Sequence, residues 1–241
     1  MRQEVHRSWL AMLTVFVAAA ALGASAQAPP APPVLGWPAV FPAAVSETSR
    51  PPWSQMKARG DGLEIEMPHP SDWVLRGDPA PDLIVLSAQD RSRAVTVTTP
   101  VKAPFTIDQS MTPDRLAGLI PTLMRTNTAD RFMPLTSDRF TLLSSGQVRT
   151  QAGSLWVWFE FETAPANVAT GLTQLERMSF DKARAWTFAT TSSPFFFFTV
   201  NCHVLTPRAA SETDARDRVQ RAAADCARMV TQVKTTRVPA P

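Results

Sequence analysis

Residues 195–205 read Phe-Phe-Phe-Phe-Thr-Val-Asn-Cys-His-Val-Leu, and a helical pattern follows at residues 212–234. Alternate side chains of a strand share a face, and the face expected to turn toward the core holds Phe196, Phe198, Val200, Cys202 and Val204. Ser211-Glu-Thr-Asp214 is a helix N-cap, and apolar residues then recur at spacings of three and four as far as Val233. A strand that runs into a long amphipathic helix predicts an α+β fold in which the helix packs back on the sheet.

The two cysteines of the chain both lie on these inward-facing surfaces. Cys202 is on the core face of the strand, and Cys226 is in the middle of the apolar stripe of the helix. An oxidising compartment favours pairing of two such thiols. Closing a loop of about 25 residues stabilises a fold by about 3.5 kcal/mol in the chain-entropy model. We expect a structural disulfide, and the absence of a Cys-x-x-Cys spacing argues against a redox-active pair.

The amino terminus has the three parts of a cleavable secretory signal. Arg2 and Arg7 precede an apolar run from Trp9 to Leu22, and Ala24-Ser-Ala26 supplies a small-residue cleavage site. The run is shorter than the roughly 20 residues that a membrane-spanning helix needs. No cysteine lies near the cleavage site, so we expect no lipid-modified amino terminus. Residues 1–26 are therefore predicted to be removed on export to the periplasm.

Residues 27–61 are predicted to form a proline-rich linker or arm ahead of a single domain at residues 62–238. Eight of the 22 prolines fall in this segment, and proline removes backbone donors and favours extended chain. Trp37, Phe41 and Trp53 are unusual in a spacer. They either dock the segment on the domain or offer short hydrophobic contacts to a partner.

The domain is predicted to contain an antiparallel sheet of about six to eight strands flanked by helices. Short apolar or alternating runs separated by Pro, Gly, Asp and Ser indicate the strands. Thr112-Pro113-Asp114 indicates a helix start. In the second half of the domain we expect strands at residues 140–143, 147–151, 155–162, 174–180, 185–190 and 195–205.

Two tryptophans are the strongest candidates for a binding surface within the domain. In strand 155–162, Trp156 and Trp158 share a face with Glu160 and Glu162, while the other face is apolar and predicted to be core. Either the preceding helix covers the two indoles, or they form an exposed amphipathic surface for a partner. A solvated strand face accounts for the two glutamates better than a glycosidase pair does.

Residue types that carry catalysis are sparse. After removal of the signal only His69 and His203 remain, which is too few for a metal site with three protein ligands once both cysteines are packed. The chain has no Gly-x-Ser-x-Gly elbow and no Gly-x-Gly-x-x-Gly loop. A formal net charge of +3 gives no basis for nucleic-acid binding. We predict a non-enzymatic protein with no catalytic residue, no metal and no cofactor.

Five features follow one another along the domain: Pro-x-x-x-x-Trp at Pro68 to Trp73, the Thr-Pro helix start, Gly-x-x-Trp at Gly153 to Trp156, a Thr-rich strand from Trp186 to Thr191, and a last strand leading into a long carboxy-terminal helix. This order of elements resembles the PsbP-like family, which includes DcrB-like bacterial envelope proteins and Ran-binding nuclear import factors. The resemblance covers about residues 62–236. It implies an antiparallel sheet with packed helices that acts as a binding or assembly module, usually without enzymatic activity. No functional residue is carried over, because the family has no shared catalytic motif.

The sequence therefore predicts an exported module that binds a component of the envelope or of a membrane complex, with peripheral membrane association compatible with that role. The candidate contact residues are Trp156, Trp158, Trp37 and Trp53. Two alternatives stay open: a periplasmic carrier of a small molecule or lipid in a pocket between sheet and helices, and an unrecognised hydrolase.

Overall fold

The computed structural model describes residues 34–41, 52–60, 62–76, 83–98, 100–103, 105–123, 139–168, 172–192 and 196–239. All of these belong to one compact unit, Pro33–Pro241. The predicted signal peptide lies outside the described residues, as do parts of the predicted proline-rich segment. Within the described ranges, no helix has both the length and the apolar character that crossing a membrane requires.

The described residues form twelve strands and three α-helices, numbered in chain order. The strands are β1 (Val34–Leu35), β2 (Trp53–Gly60), β3 (Leu63–Pro70), β4 (Val74–Arg76), β5 (Leu83–Ser87), β6 (Arg93–Thr98), β7 (Val101–Lys102), β8 (Phe140–Arg149), β9 (Leu155–Thr163), β10 (Phe180–Ser192), β11 (Phe196–Pro207) and β12 (Lys234–Arg237). The helices are α1 (Pro113–Leu123), α2 (Gln174–Arg177) and α3 (Glu212–Thr231), and a 3-10 turn lies at Pro165–Asn167.

These strands form two sheets. The larger has the order β1-β8-β9-β10-β11-β6-β5-β4, and β7 also pairs with β11. Its seven strands from β8 to β4 are antiparallel, whereas the two-residue β1 runs parallel to β8. The smaller sheet has the antiparallel order β12-β3-β2. The predicted α+β class is confirmed, with the strands divided between two sheets rather than gathered in one.

The larger sheet is covered on both faces. On one face, Trp156 and Trp186 join a core with Cys226 of α3 and Ile65 and Met67 of the smaller sheet. On the other face, a separate core includes Val157, Phe159 and Phe161 together with Leu116 of α1. The central strand β11 is therefore buried on both sides, as a strand covered by two layers must be.

Four segments differ from the sequence-based expectation. Residues 140–143 and 147–151, expected as two strands, belong to the single strand β8 up to Arg149. Trp53–Gly60, inside the segment assigned to a linker, pairs along its whole length with β3. Residues 174–177 are helix α2 rather than part of a strand, because Thr173 and Glu176 form a capping box that closes a helical turn. After α3 the chain returns as β12 beside β3. The two partners of β3 differ in origin: β2 precedes it by two residues and pairs as a hairpin, whereas β12 comes from the far end of the sequence, a pairing that no local pattern encodes.

Candidate functional site

Trp156 and Trp158 are buried, with 1% and 2% of their surfaces exposed. The smaller sheet and α3 cover their face, whereas α1 packs on the opposite face of β9, against the core that holds Phe159. The two indoles are therefore buried, but the expectation that the preceding helix covers them was wrong. Trp158 Nε1 donates to Gly36 O at 2.7 Å, so this indole holds an early segment of the chain. Neither ring offers a surface to a partner in this fold.

Trp37 and Trp53 also pack against the domain. Trp37 stacks on Phe41 with ring centroids 5.6 Å apart, and Phe41 makes an edge contact with Trp186 at 5.5 Å. Arg228 of α3 lies over the Trp53 ring, 4.2 Å from its centroid. Both tryptophans are half-buried against the core cluster. The residues around them are therefore docked on the domain and do not form a free arm.

The sulfurs of Cys202 and Cys226 are bonded, with the two Cα atoms 6.0 Å apart. Both residues are buried, Cys202 on β11 and Cys226 on α3. The bond fixes the carboxy-terminal helix on the central strand of the larger sheet. A buried disulfide is typical of proteins that fold in an oxidising compartment.

Glu160 and Glu162 are tied to basic residues on the neighbouring strand. Glu160 accepts from Ser144 Oγ at 2.7 Å and from Arg184 Nη1 at 3.2 Å, and only 8% of it is exposed. Glu162 pairs with Lys182 at 3.2 Å and with Arg184 at 3.7 Å. The expected solvated face is instead an ion-pair network that lets Glu160 be buried without leaving its charge unpaired.

His69 and His203 are both buried in strands. His69 lies in β3 with Nδ1 2.9 Å from Pro70 O. His203 lies in β11 and is 5% exposed. Among the described residues, no three His, Cys, Asp or Glu side chains come together in a metal-binding arrangement.

Six large apolar side chains of the described residues are exposed, two at each of three places in the fold. The pairs are Val74 and Leu75 on β4, Leu142 and Leu143 on β8, and Leu175 and Met178 at α2. The third is the most exposed pair, at 78% for Leu175 and 64% for Met178. We call Leu175 and Met178 the α2 surface.

The backbone beneath the α2 surface is held by polar contacts on all sides. Thr173 N donates to Glu176 Oε2 at 2.7 Å, and Glu176 N donates to Thr173 Oγ1 at 3.3 Å. Arg91 Nη1 reaches the same carboxylate at 3.3 Å. Arg177 donates to Leu172 O at 3.1 Å and to Ala166 O at 2.6 Å, which joins α2 to the 3-10 turn. Leu175 and Met178 therefore lie on a helical turn whose backbone is held in place by hydrogen bonds and an ion pair.

The same contacts perturb Glu176. The backbone N–H of Thr173 and then its hydroxyl, with Arg91 adding charge, lower the pKa of Glu176 below its ordinary value. Sequence inspection missed α2, although the pattern Thr173-x-x-Glu176 is the capping-box signature that could have revealed it.

An open groove of about 600 Å³ lies where the turn between β8 and β9 faces the segment that precedes α1. We call it the hairpin groove. Its lining residues are Ile107, Asp108, Gln109, Ser110, Arg149, Gly153, Ser154, Leu155 and Thr191.

Hydrogen bonds fix both walls of the hairpin groove. Ile107 N donates to Thr191 Oγ1 at 2.7 Å, and the buried Gln147 side chain donates through Nε2 to Met111 O, which together hold the 107–111 segment on the sheet. On the hairpin side, Gly153 adopts a φ of 86°, a conformation that favours glycine, and its N–H donates to Thr150 O at 2.9 Å. Because these hydrogen bonds fix both walls, the shape of the groove is determined by the folded chain.

Comparison with known proteins leaves the chain without an assigned family. No protein-family model and no curated protein matches it. Solved structures give distant likenesses. The Ran-binding protein Mog1p of Saccharomyces cerevisiae is 10% identical, with 76% of this chain and 96% of that chain covered and a TM-score of 0.42.

Two further solved structures are similar at the same low level. LpqN of Mycobacterium tuberculosis, described as involved in cell envelope biogenesis, is 13% identical over 78% of this chain and 92% of its own, with a TM-score of 0.29. A protein of Bacteroides thetaiotaomicron is 11% identical over 72% of this chain and 45% of its own, with a TM-score of 0.34. At these values the likenesses carry no argument about fold family or function, and the PsbP-like resemblance stays a prediction.

Proposed function

We propose that this protein is an exported, non-enzymatic binding module that docks a protein of the cell envelope through the α2 surface. The observation that carries the proposal is the exposure of Leu175 and Met178 on a braced turn. A rigid anchor loses little conformational freedom on binding, and burying a Leu or Met side chain contributes about 1.5–3 kcal/mol. Two such anchors can form the centre of a larger interface.

A protein partner fits the α2 surface better than an anionic lipid surface. The two arginines that contact or belong to α2 are already engaged, Arg91 with the Glu176 carboxylate and Arg177 with two backbone carbonyls. Attraction to anionic lipid depends on basic side chains that are available to the headgroups. An apolar pair beside neutralised charge is instead suited to an apolar patch on another protein.

Export and the absence of an enzymatic role are supported by separate features. The signal-like residues 1–26 and the buried Cys202–Cys226 bond both fit an oxidising compartment outside the cytoplasm. The acidic pair Glu160 and Glu162 is occupied by Arg184 and Lys182, so neither carboxylate is disposed as a free acid or base. These contacts support a scaffold that binds rather than reacts.

The test compares two exposed apolar pairs in the full chain. The double variant L175S/M178S removes the α2 surface, and L142S/L143S is the matched control on β8, where the two leucines are 52% and 44% exposed. Partners are captured by crosslinking in cells and purification from envelope fractions. The captured protein is then purified, and its dissociation constant is measured against wild type and both variants.

We expect L175S/M178S to weaken binding at least tenfold and L142S/L143S to change it less than twofold, with equal melting temperatures for all three proteins. Equal weakening by both variants would overturn the assignment to α2. Recovery of the monomer alone, under conditions that preserve membrane complexes, would overturn the binding function itself.

A further inference from the structure

The hairpin groove carries opposite charges on its two walls. Arg149 contributes the positive charge from the hairpin, where its Nη1 donates to Gly153 O at 2.8 Å. Within the described part of the chain this guanidinium makes no ion pair. A guanidinium has five N–H donors in a planar fork, so most of them stay available to a ligand carboxylate.

Asp108 contributes the negative charge from the segment that precedes α1. Its Oδ1 accepts from Ser110 Oγ at 2.6 Å and from Ser110 N at 2.8 Å. The Ser110 hydroxyl, followed by the Ser110 backbone N–H, lowers the pKa of Asp108, and Arg115 adds to the effect. The carboxylate is held in place and ionised, and Asp108 is exposed, so a ligand can approach it.

Two apolar side chains share the lining of the groove with the two charges. Ile107 is buried and Leu155 is half-buried, and both line the groove. The volume of about 600 Å³ falls within the range of roughly 300–1,000 Å³ that is typical of small-ligand sites. Such a site combines an apolar surface with a few fixed polar groups.

From this arrangement we infer that the hairpin groove binds a short peptide, whose terminal carboxylate pairs with Arg149 and whose terminal ammonium pairs with Asp108. A ligand with one sign of charge, such as phosphate, is attracted by one wall and repelled by the other. A zwitterion satisfies both walls, and its apolar side chains contact Ile107 and Leu155. The inference does not depend on the α2 surface or on an envelope partner.

The test titrates the isolated full-length chain with the tripeptide Ala-Leu-Ala and follows backbone amide shifts by NMR. Two modified tripeptides serve as probes: the carboxy-terminal amide lacks the carboxylate, and the N-acetyl form lacks the ammonium group. We expect saturable shifts at Ile107 and Leu155 with the free tripeptide, and at least tenfold weaker binding of each modified form.

Variants assign each charge to its wall. R149Q should weaken binding of the free tripeptide to the affinity of the amidated form, and should leave the affinity of the amidated form unchanged. D108N should weaken binding of the free tripeptide to the affinity of the N-acetyl form, and should leave the affinity of the N-acetyl form unchanged. R149K keeps the charge but loses the planar fork, so it should bind with intermediate affinity. The control R216Q changes an exposed arginine of α3 and should bind as wild type does.

Three outcomes would overturn the inference: no saturable shift at Ile107 and Leu155, equal affinity for free and amidated tripeptide, or shifts of the same amides by inorganic phosphate at equal concentration. The last would indicate a simple anion site. Because no envelope partner is present, a negative result here leaves the α2 proposal standing, and a failed partner capture leaves this one standing.

Discussion

Arg93 Nη1 donates to Asp225 Oδ2 at 2.9 Å and so joins β6 of the larger sheet to α3. The side chain of Asp225 is 4% exposed, and that of Arg93 is 28% exposed. Arg93 also lies over the Trp73 ring, 5.8 Å from its centroid. Asp225 is next to Cys226, so an ion pair and a disulfide attach α3 to the sheet at consecutive positions.

Removing one partner of this ion pair should destabilise the fold. Burial lowers the pKa of Arg93, and its guanidinium lies 2.9 Å from the nearly fully buried Asp225 carboxylate, so the pair is partly desolvated. We expect D225A to lower the free energy of unfolding by about 3 kcal/mol in urea denaturation. E212A, which breaks the exposed pair with Arg216 on the same helix, is the control and should cost less than about 0.5 kcal/mol. Equal effects of D225A and E212A would contradict a structural role for the buried pair.

The Cys202–Cys226 bond should contribute strongly to stability. Replacing both cysteines by alanine should lower the free energy of unfolding by about 3.5 kcal/mol, because the unfolded chain then loses a covalent constraint. Reductant should destabilise the wild type by a similar amount and leave the double variant unchanged. Mass measurement after alkylation provides the direct check. Two alkylatable thiols in the purified protein before reduction would rule out the bond.

The cap of α2 should open in acid. Because the pKa of Glu176 is lowered in the fold, its stabilising effect is present above the pKa of the unfolded chain and is lost as the pH falls through the folded value. We expect the amide shifts of Thr173 and Glu176 to titrate together at a pH below the ordinary value for a glutamate. E176Q should abolish that titration while keeping α3 unaffected. An inflection at or above the ordinary value would show that the capping contacts are not formed in solution.

The long local patterns were informative about the carboxy-terminal half of the fold. The alternation at residues 195–205 predicted β11, observed at Phe196–Pro207, and the apolar stripe predicted α3, observed at Glu212–Thr231. Both elements are long enough for their periodicity to be unambiguous. The same patterns put Cys202 and Cys226 on facing surfaces. Their pairing follows because β11 and α3 are consecutive in the chain and pack together.

α2 and β12 were missed because four residues do not establish a period. The capping contacts of α2 decide its conformation. β12, whose side chains are all exposed, exists because β3 supplies a hydrogen-bonding edge far away in the chain, so local composition does not reveal it. β2 has eight residues and was missed because it follows a proline-rich segment, although only Asp61-Gly62 separates it from β3 in the sequence, and such a dipeptide is a hairpin signal.

The sequence by itself determined which side chains share a face, where the longest strand and helix lie, and which two cysteines point inward, because these properties repeat along a few consecutive turns or residues. Only the tertiary structure decided what covers each face. Trp156 and Trp158 became core because the smaller sheet and α3 lie over them, while Leu175 and Met178 stayed exposed because no described element packs there. The hairpin groove likewise exists only where Arg149 and Asp108, from segments distant in the chain, come to the same opening. Which faces are buried and which distant residues meet depend on contacts between residues far apart in sequence. Local sequence patterns do not determine these contacts.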